Sequence, residues 1–148
     1  MRAGSRGETS KYNLGILFFT GQGVERDAEA AYRWTAAAAA QGHIAAQFNL
    51  ATLLITGEGT AKDVESAVEW YSQAAKAGHP EAASELASLY SEGSDVDRDR
   101  IMAHAWAEYA VLNKAEGAAA LLKSIERKLD AAELSAARRL FAQWQIGR

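Results

Sequence analysis

Three sets of residues in this chain have types and spacings that could do chemistry. His43 and His79 could ligate a metal. Asp95, Asp97 and Asp99 alternate like the start of a calcium loop, and Gly21-Gln22-Gly23 and Gly57-Glu58-Gly59 could cradle a phosphate. Each fails where its motif is specific. His43 and His79 sit 36 positions apart in two copies of one repeat, so they occupy equivalent sites. Stacked helices place such sites roughly 8–10 Å apart or more, and zinc–nitrogen bonds of about 2.0–2.1 Å do not bridge that gap. Both histidines therefore read as turn residues. In the acidic run the sixth position is Arg100 where calcium loops need Gly, and the twelfth is Trp106 where they need Glu. The glycine pairs follow helical stretches, with no third glycine or Lys-Ser/Thr after them. His104 stands alone within a helical stretch and is expected at the surface or in a groove. No catalytic, metal or cofactor site is expected, and the chain reads as a non-enzyme.

The elements that must position any site come from the repeat itself. Gly57, Gly59, Asp63, Glu65, Trp70, Ala74, Ala75, Gly78 and His79 each follow an identical residue by 36 positions, and a worn third copy carries Gly93, Asp99, Ala103, Trp106 and Ala110. A fixed period of 20–50 residues marks a repeat architecture. Each copy reads as a helix, a glycine-ended loop, an aspartate N-cap (Asp27, Asp63, Asp99) and a second helix. The first helices are expected near 9–19, 44–55 and 81–90, and the second near 28–40, 64–77 and 100–113. Pro80 suits the first turn of the third repeat's opening helix. Trp34, Trp70 and Trp106, flanked by alanines, read as core. Gly15, Ala51 and Ala87 read as points of close helix approach.

Beyond Ala118 the period fades, and position 129, where a loop glycine would fall, is Leu129. A helix over about 116–129 is expected there. Asp130 to Glu133 has capping-box form and opens a last helix to about 145, with Leu134, Ala137, Phe141 and Trp144 inward. Such an atypical end covers the last repeat of a solenoid. Residues 1–8, rich in Gly, Ser and Arg, read as a disordered leader. The expectation is one domain over 9–146, with repeats at 9–43, 44–79 and 80–115 and a cap at 116–146.

Composition agrees. With 148 residues, 49% of them hydrophobic, and one proline, the chain suits one helix-rich domain. A net charge of −3 argues against nucleic acid as a partner. The absence of cysteine excludes a disulfide framework or thiolate metal site, and no apolar run is long enough to span a bilayer. The compartment stays open: cytoplasmic as the sequence stands, periplasmic or secreted if a signal peptide has been removed.

The pattern Asn-Leu-(Gly/Ala)-x-Leu, Gly-x-Gly, Asp, Ala-x-x-Trp, Ala-Ala and Gly resembles the Sel-one-like repeat family, relatives of the tetratricopeptide repeats. The match covers about residues 10–122. The third copy departs from it at Glu85, Asp95 and Lys114, which replace Asn, Gly and Gly. The resemblance implies an all-α, right-handed α-solenoid of three helix-turn-helix repeats with a two-helix cap. It also implies an adaptor or scaffold in bacterial signalling or envelope processes.

In helical-repeat pairs the first helices line the concave face. Taking Gly15, Ala51 and Ala87 as the packed side, the groove is expected at Tyr12, Ile16 and Phe19, at Phe48, Thr52 and Ile55, and at Ser84, Ser88 and Ser91. This mix of apolar anchors and hydroxyls suits a partner's helix or extended peptide. Two alternatives come from other classes: a hydrolase or carbohydrate-binding protein using a groove carboxylate such as Glu85 or Glu92, and a structural piece of a larger repeat protein. The outer side of the first helix, with Leu14, Leu17 and Phe18, is a further candidate surface for self-association.

Overall fold

A computed structural model of the chain describes residues 3–146, all secondary structure within that range being helical. Eight helices follow one another among the described residues: α1 (Ala3–Thr20), α2 (Ala28–Ala40), α3 (Ile44–Thr56), α4 (Val64–Lys76), α5 (Pro80–Glu92), α6 (Arg100–Leu112), α7 (Ala118–Glu126) and α8 (Ala131–Ile146). They form two compact units that divide between Ala77 and Gly78.

The sequence repeat is also a conformational repeat. Asp27, Asp63 and Asp99 have φ of −144°, −143° and −144°, and their carboxylates accept from the backbone N–H of Ala30, Ser66 and Met102 at 3.1, 3.1 and 3.0 Å. The backbone N–H of each aspartate donates at 2.9 Å to a carbonyl near the end of the preceding helix, from Phe18, Leu54 and Tyr90 respectively. The side chain thus satisfies a donor that the helix leaves open, while the backbone bond fixes the angle at which the chain turns back. The second of these carboxyls, Asp63, lies below the usual carboxylate range because it accepts from the backbone and hydroxyl of Ser66.

In the first unit α1 packs on α2, α2 on α3 and α3 on α4. Its interior is built from alanines at the contacts, including Ala31, Ala38, Ala46, Ala51, Ala67 and Ala74, with Leu50, Leu53, Leu54 and Tyr71 filling between them. A Cβ at Gly15 would sit 2.5 Å from the Thr35 hydroxyl, so α1 and α2 touch at a point where only glycine fits. In the second unit α6 is the hub, packed against α5, α7 and α8. Its Trp106 is buried, with Trp144 of α8 at 4.5 Å between ring centroids. Phe141 meets Tyr109 edge-on at 5.9 Å. Among the three repeated tryptophans Trp106 is core as expected, whereas Trp34 and Trp70 are half-buried.

The ends differ from expectation in two places. The helix expected from Thr9 starts at Ala3, so residues 3–8 of the anticipated disordered leader are helical, and residues 1 and 2 lie outside the described residues. Gly and Ser lower helix propensity without breaking a helix as proline would, and Arg favours one. Once a helix is nucleated further along, each added residue costs little. The first cap helix is shorter than the expected 116–129. Gly117, at φ 74°, delays its start to Ala118, and Arg127 caps it after Glu126. Asp130 and Glu133 then form the expected reciprocal capping box, at 2.8 and 3.0 Å.

Candidate functional site

The two histidines that invited a metal reading have a different job. His43 and His79 are the N-caps of α3 and α5, and each ring Nδ1 accepts from a backbone N–H, of Ala46 at 3.1 Å and Ala82 at 3.3 Å. An Nδ1 that accepts must carry no proton, so both caps require the neutral ring with its hydrogen on Nε2. Partial burial holds His79 below the usual histidine range, against the opposing charge of Glu81. Among the described residues no group of three His, Asp or Glu side chains could hold a metal ion. Asp99 is occupied with capping, and Asp95 and Asp97 are exposed.

His104 requires a correction. It was expected at the surface or in a groove, and it is wholly buried, at 0% exposure. Helical spacing alone cannot distinguish an outward face of α6 from one covered by the cap helices. Here α7 brings Glu126 Oε1 to 3.0 Å from its Nε2.

The first unit holds an apolar cleft of about 240 Å³ between α1, α2 and α3. Ile16 and Phe19 come from α1, Phe48 and Thr52 from α3, and Ala31 and Thr35 of α2 lie behind them, with Gly15, Asn49 and Leu53 completing the lining. Four of the expected groove residues, Ile16, Phe19, Phe48 and Thr52, thus come together. Phe19 is 38% exposed, and the Arg26 guanidinium lies 5.5 Å above its ring.

The other expected positions lie elsewhere. Tyr12 stacks on His43 with centroids 4.4 Å apart, and its ring does not line the cleft. Ile55 is half-buried in the last turn of α3 and is also outside the lining. Ser84 and Ser88 are half-buried on α5 in the second unit, where the Ser84 hydroxyl has no hydrogen-bond partner. Ser91 is half-buried in the last turn of the same helix.

One lining residue, Thr35, varies in kind from repeat to repeat. Thr35, Tyr71 and Ala107 occupy the same position of the repeat. In the second repeat Tyr71 is only 3% exposed, its ring centroid is 5.6 Å from that of Phe48, and its hydroxyl is 2.9 Å from the Thr52 hydroxyl. The aromatic ring packs between α3 and α4. In the first repeat the shorter Thr35, itself buried with its hydroxyl toward Gly15, stands at this position and lines the back of the cleft. The sequence shows this difference when the three residues at this register are compared.

Glu85 is exposed on α5, and its carboxyl is pushed above the usual range by partial desolvation and then by the like charges of Glu81 and Glu92. Those neighbours are acids; a general acid or base needs an activated nucleophile or a complementary partner within hydrogen-bond reach.

The Sel1 repeat family model matches residues 9–43, 44–79 and 80–113. A Sel1 repeat protein from Oxalobacter formigenes superposes with a TM-score of 0.73 at 32% identity, covering 80% of this chain and 49% of that one. A protective antigen present in uropathogenic Escherichia coli strains, displaying an SLR fold, superposes with a TM-score of 0.81 at 35% identity, covering 93% of this chain and 29% of that one. The chain therefore spans about half the length of the first relative and under a third of the second. No curated protein matches it. The fold class is the all-α solenoid of helix pairs.

Proposed function

The chain belongs to the Sel1 repeat family, and we propose that it is a binding module whose first two repeats hold a partner protein by an apolar anchor. Sel1 repeats serve generally as protein-interaction scaffolds. The observation that carries the finer reading is the cleft between α1, α2 and α3, with Thr35 at its back where the next repeat has Tyr71. Its volume of about 240 Å³ lies below the roughly 300–1,000 Å³ of small-molecule pockets. It suits one or two bulky side chains of a helix laid into the groove, the recognition mode in which apolar residues three and four apart act as anchors. Ile16, Phe19 and Phe48 supply the apolar walls and Thr52 a hydroxyl; Tyr12 and Ile55 extend the same helices on either side of the cleft. The solved relatives are bacterial, and an adaptor in bacterial signalling or envelope processes is the setting we favour.

The test compares proteins captured from native lysate by the unaltered chain, by Phe48→Ala and by Thr35→Phe. A partner that depends on the cleft is retained by the first and lost from both variants, with their circular dichroism unchanged. Retention by both variants would rule the cleft out as the binding site.

A further inference from the structure

One buried titratable group plays no part in the cleft. His104 sits in the middle of α6, where the first two repeats carry Tyr32 and Val68. Its Nε2 is 3.0 Å from Glu126 Oε1 on α7, and Glu126 occupies the register position held by Phe18, Leu54 and Tyr90 in the repeats. Its Nδ1 is 3.7 Å from Glu108 Oε1, one turn along α6, where the earlier repeats have Ala36 and Ser72. Three departures from the repeat thus meet around one buried ring, which the two carboxylates reach from partly exposed positions, and they join the hub helix to the first cap helix.

We propose that His104 is a proton-dependent latch that fastens α7 to α6. An imidazolium has a donor on each ring nitrogen and can serve both carboxylates at once. A neutral imidazole has a single N–H, so one nitrogen then presents a lone pair to a carboxylate in a place water does not reach. With the proton on Nε2 the Glu126 contact survives and Nδ1 opposes Glu108; the other tautomer breaks the link to α7. An unpaired polar group in such a site is costly, and the α6–α7 contact weakens when the proton leaves.

On α6 the titratable neighbour is Glu108 and on α7 it is Glu126, while Arg138 of α8 acts on Glu108. Helix α5, the third element packed on α6, carries Glu81, Glu85 and Glu92, whose charges act on one another. Partial burial raises the Glu108 carboxyl, with His104 and Arg138 pulling the other way.

Amide hydrogen exchange across α7, expressed as protection relative to intrinsic rates, reads the latch directly. Between about pH 5.5 and about pH 8, the range in which histidines titrate, protection of α7 falls about tenfold in the unaltered chain, the factor equivalent to about 1.4 kcal/mol. Amides of α2 serve as the control and keep their protection. Glu108→Gln leaves the histidine with one carboxylate and one amide, so a neutral ring is satisfied on both sides; α7 protection then changes less than about twofold over the same range. His104→Val, the residue of the second repeat, paired with Glu126→Leu, also removes the dependence. Protection of α7 that is constant with pH in the unaltered chain overturns the proposal. So does a slope that persists undiminished in Glu108→Gln, which retains the ion pair to α7 and serves as the test should the double variant not fold.

Discussion

Replacing Thr35 by Phe or Tyr asks whether the cleft is an unfilled position of the repeat. The second repeat supplies the template, since Tyr71 packs against Phe48 and bonds Thr52 at the equivalent site. An aromatic ring at 35 would bury about 100 Å² more apolar surface than threonine, within the 150–250 Å² that such side chains bury. At about 25 cal/mol per Å² that contributes about 2.5 kcal/mol as an upper bound, reduced by about 1 kcal/mol for the rotamer freedom the ring gives up. Thr35→Phe should therefore stabilise by about 1–2 kcal/mol. Thr35→Tyr differs by one atom, but the residue equivalent to Thr52 is Ile16, which offers its hydroxyl no partner. A buried hydroxyl left without a partner costs about 1–3 kcal/mol, so the tyrosine variant should be close to neutral. Urea unfolding followed by circular dichroism gives both values, and affinity capture reports whether the partner is lost. A phenylalanine variant that is destabilised by more than about 1 kcal/mol, or that binds as the unaltered chain does, would refute the equivalence of the two registers.

Further outcomes follow from the loops and caps. Gly59 has φ 73° and a Cβ there would run into the Ala28 carbonyl, whereas Gly23, at φ 77° in the equivalent position, faces open space. Gly59→Ala should thus cost more than the roughly 1–2 kcal/mol of the left-handed conformation alone, and Gly23→Ala only about that; thermal unfolding compares them. Lys114 has φ 61° where the earlier repeats use Gly42 and Gly78 at 94° and 100°. Lys114→Gly should stabilise by about 0.5–1 kcal/mol, the left-handed strain relieved less the greater freedom of glycine in the unfolded chain. For His79 the folded pKa is lowered, so the unfolded chain binds the proton more readily and stability rises with pH. Its contribution is complete above the ordinary histidine value of about 6.5 and is lost as pH falls from there toward the lowered value. Protection of the Ala82 amide should fall on acidification and become independent of pH over this range in His79→Asn. This trend is opposite in sign to that expected for α7, so residue-resolved exchange separates the two histidines.

Much of this protein is determined by local chemistry that a sequence displays directly. The aspartates at 36-residue intervals cap helices because a carboxylate after a glycine loop satisfies open backbone donors, whatever surrounds it. Glycines at 21, 57 and 93 turn left-handed because they lack a Cβ, and the alanine stripes allow the helices close approach. Repeat boundaries, helix order and the capping box at Asp130 all follow from neighbours within a few positions. What only tertiary structure decided depends on which helix arrives from a distance. His104 became a buried group because the cap helices lie over that face of α6 and bring Glu126 to it. Tyr12 stacks on His43, a contact 31 positions away in sequence. The cleft itself required three helices to meet around Thr35, since no one segment of the sequence supplies all of its walls.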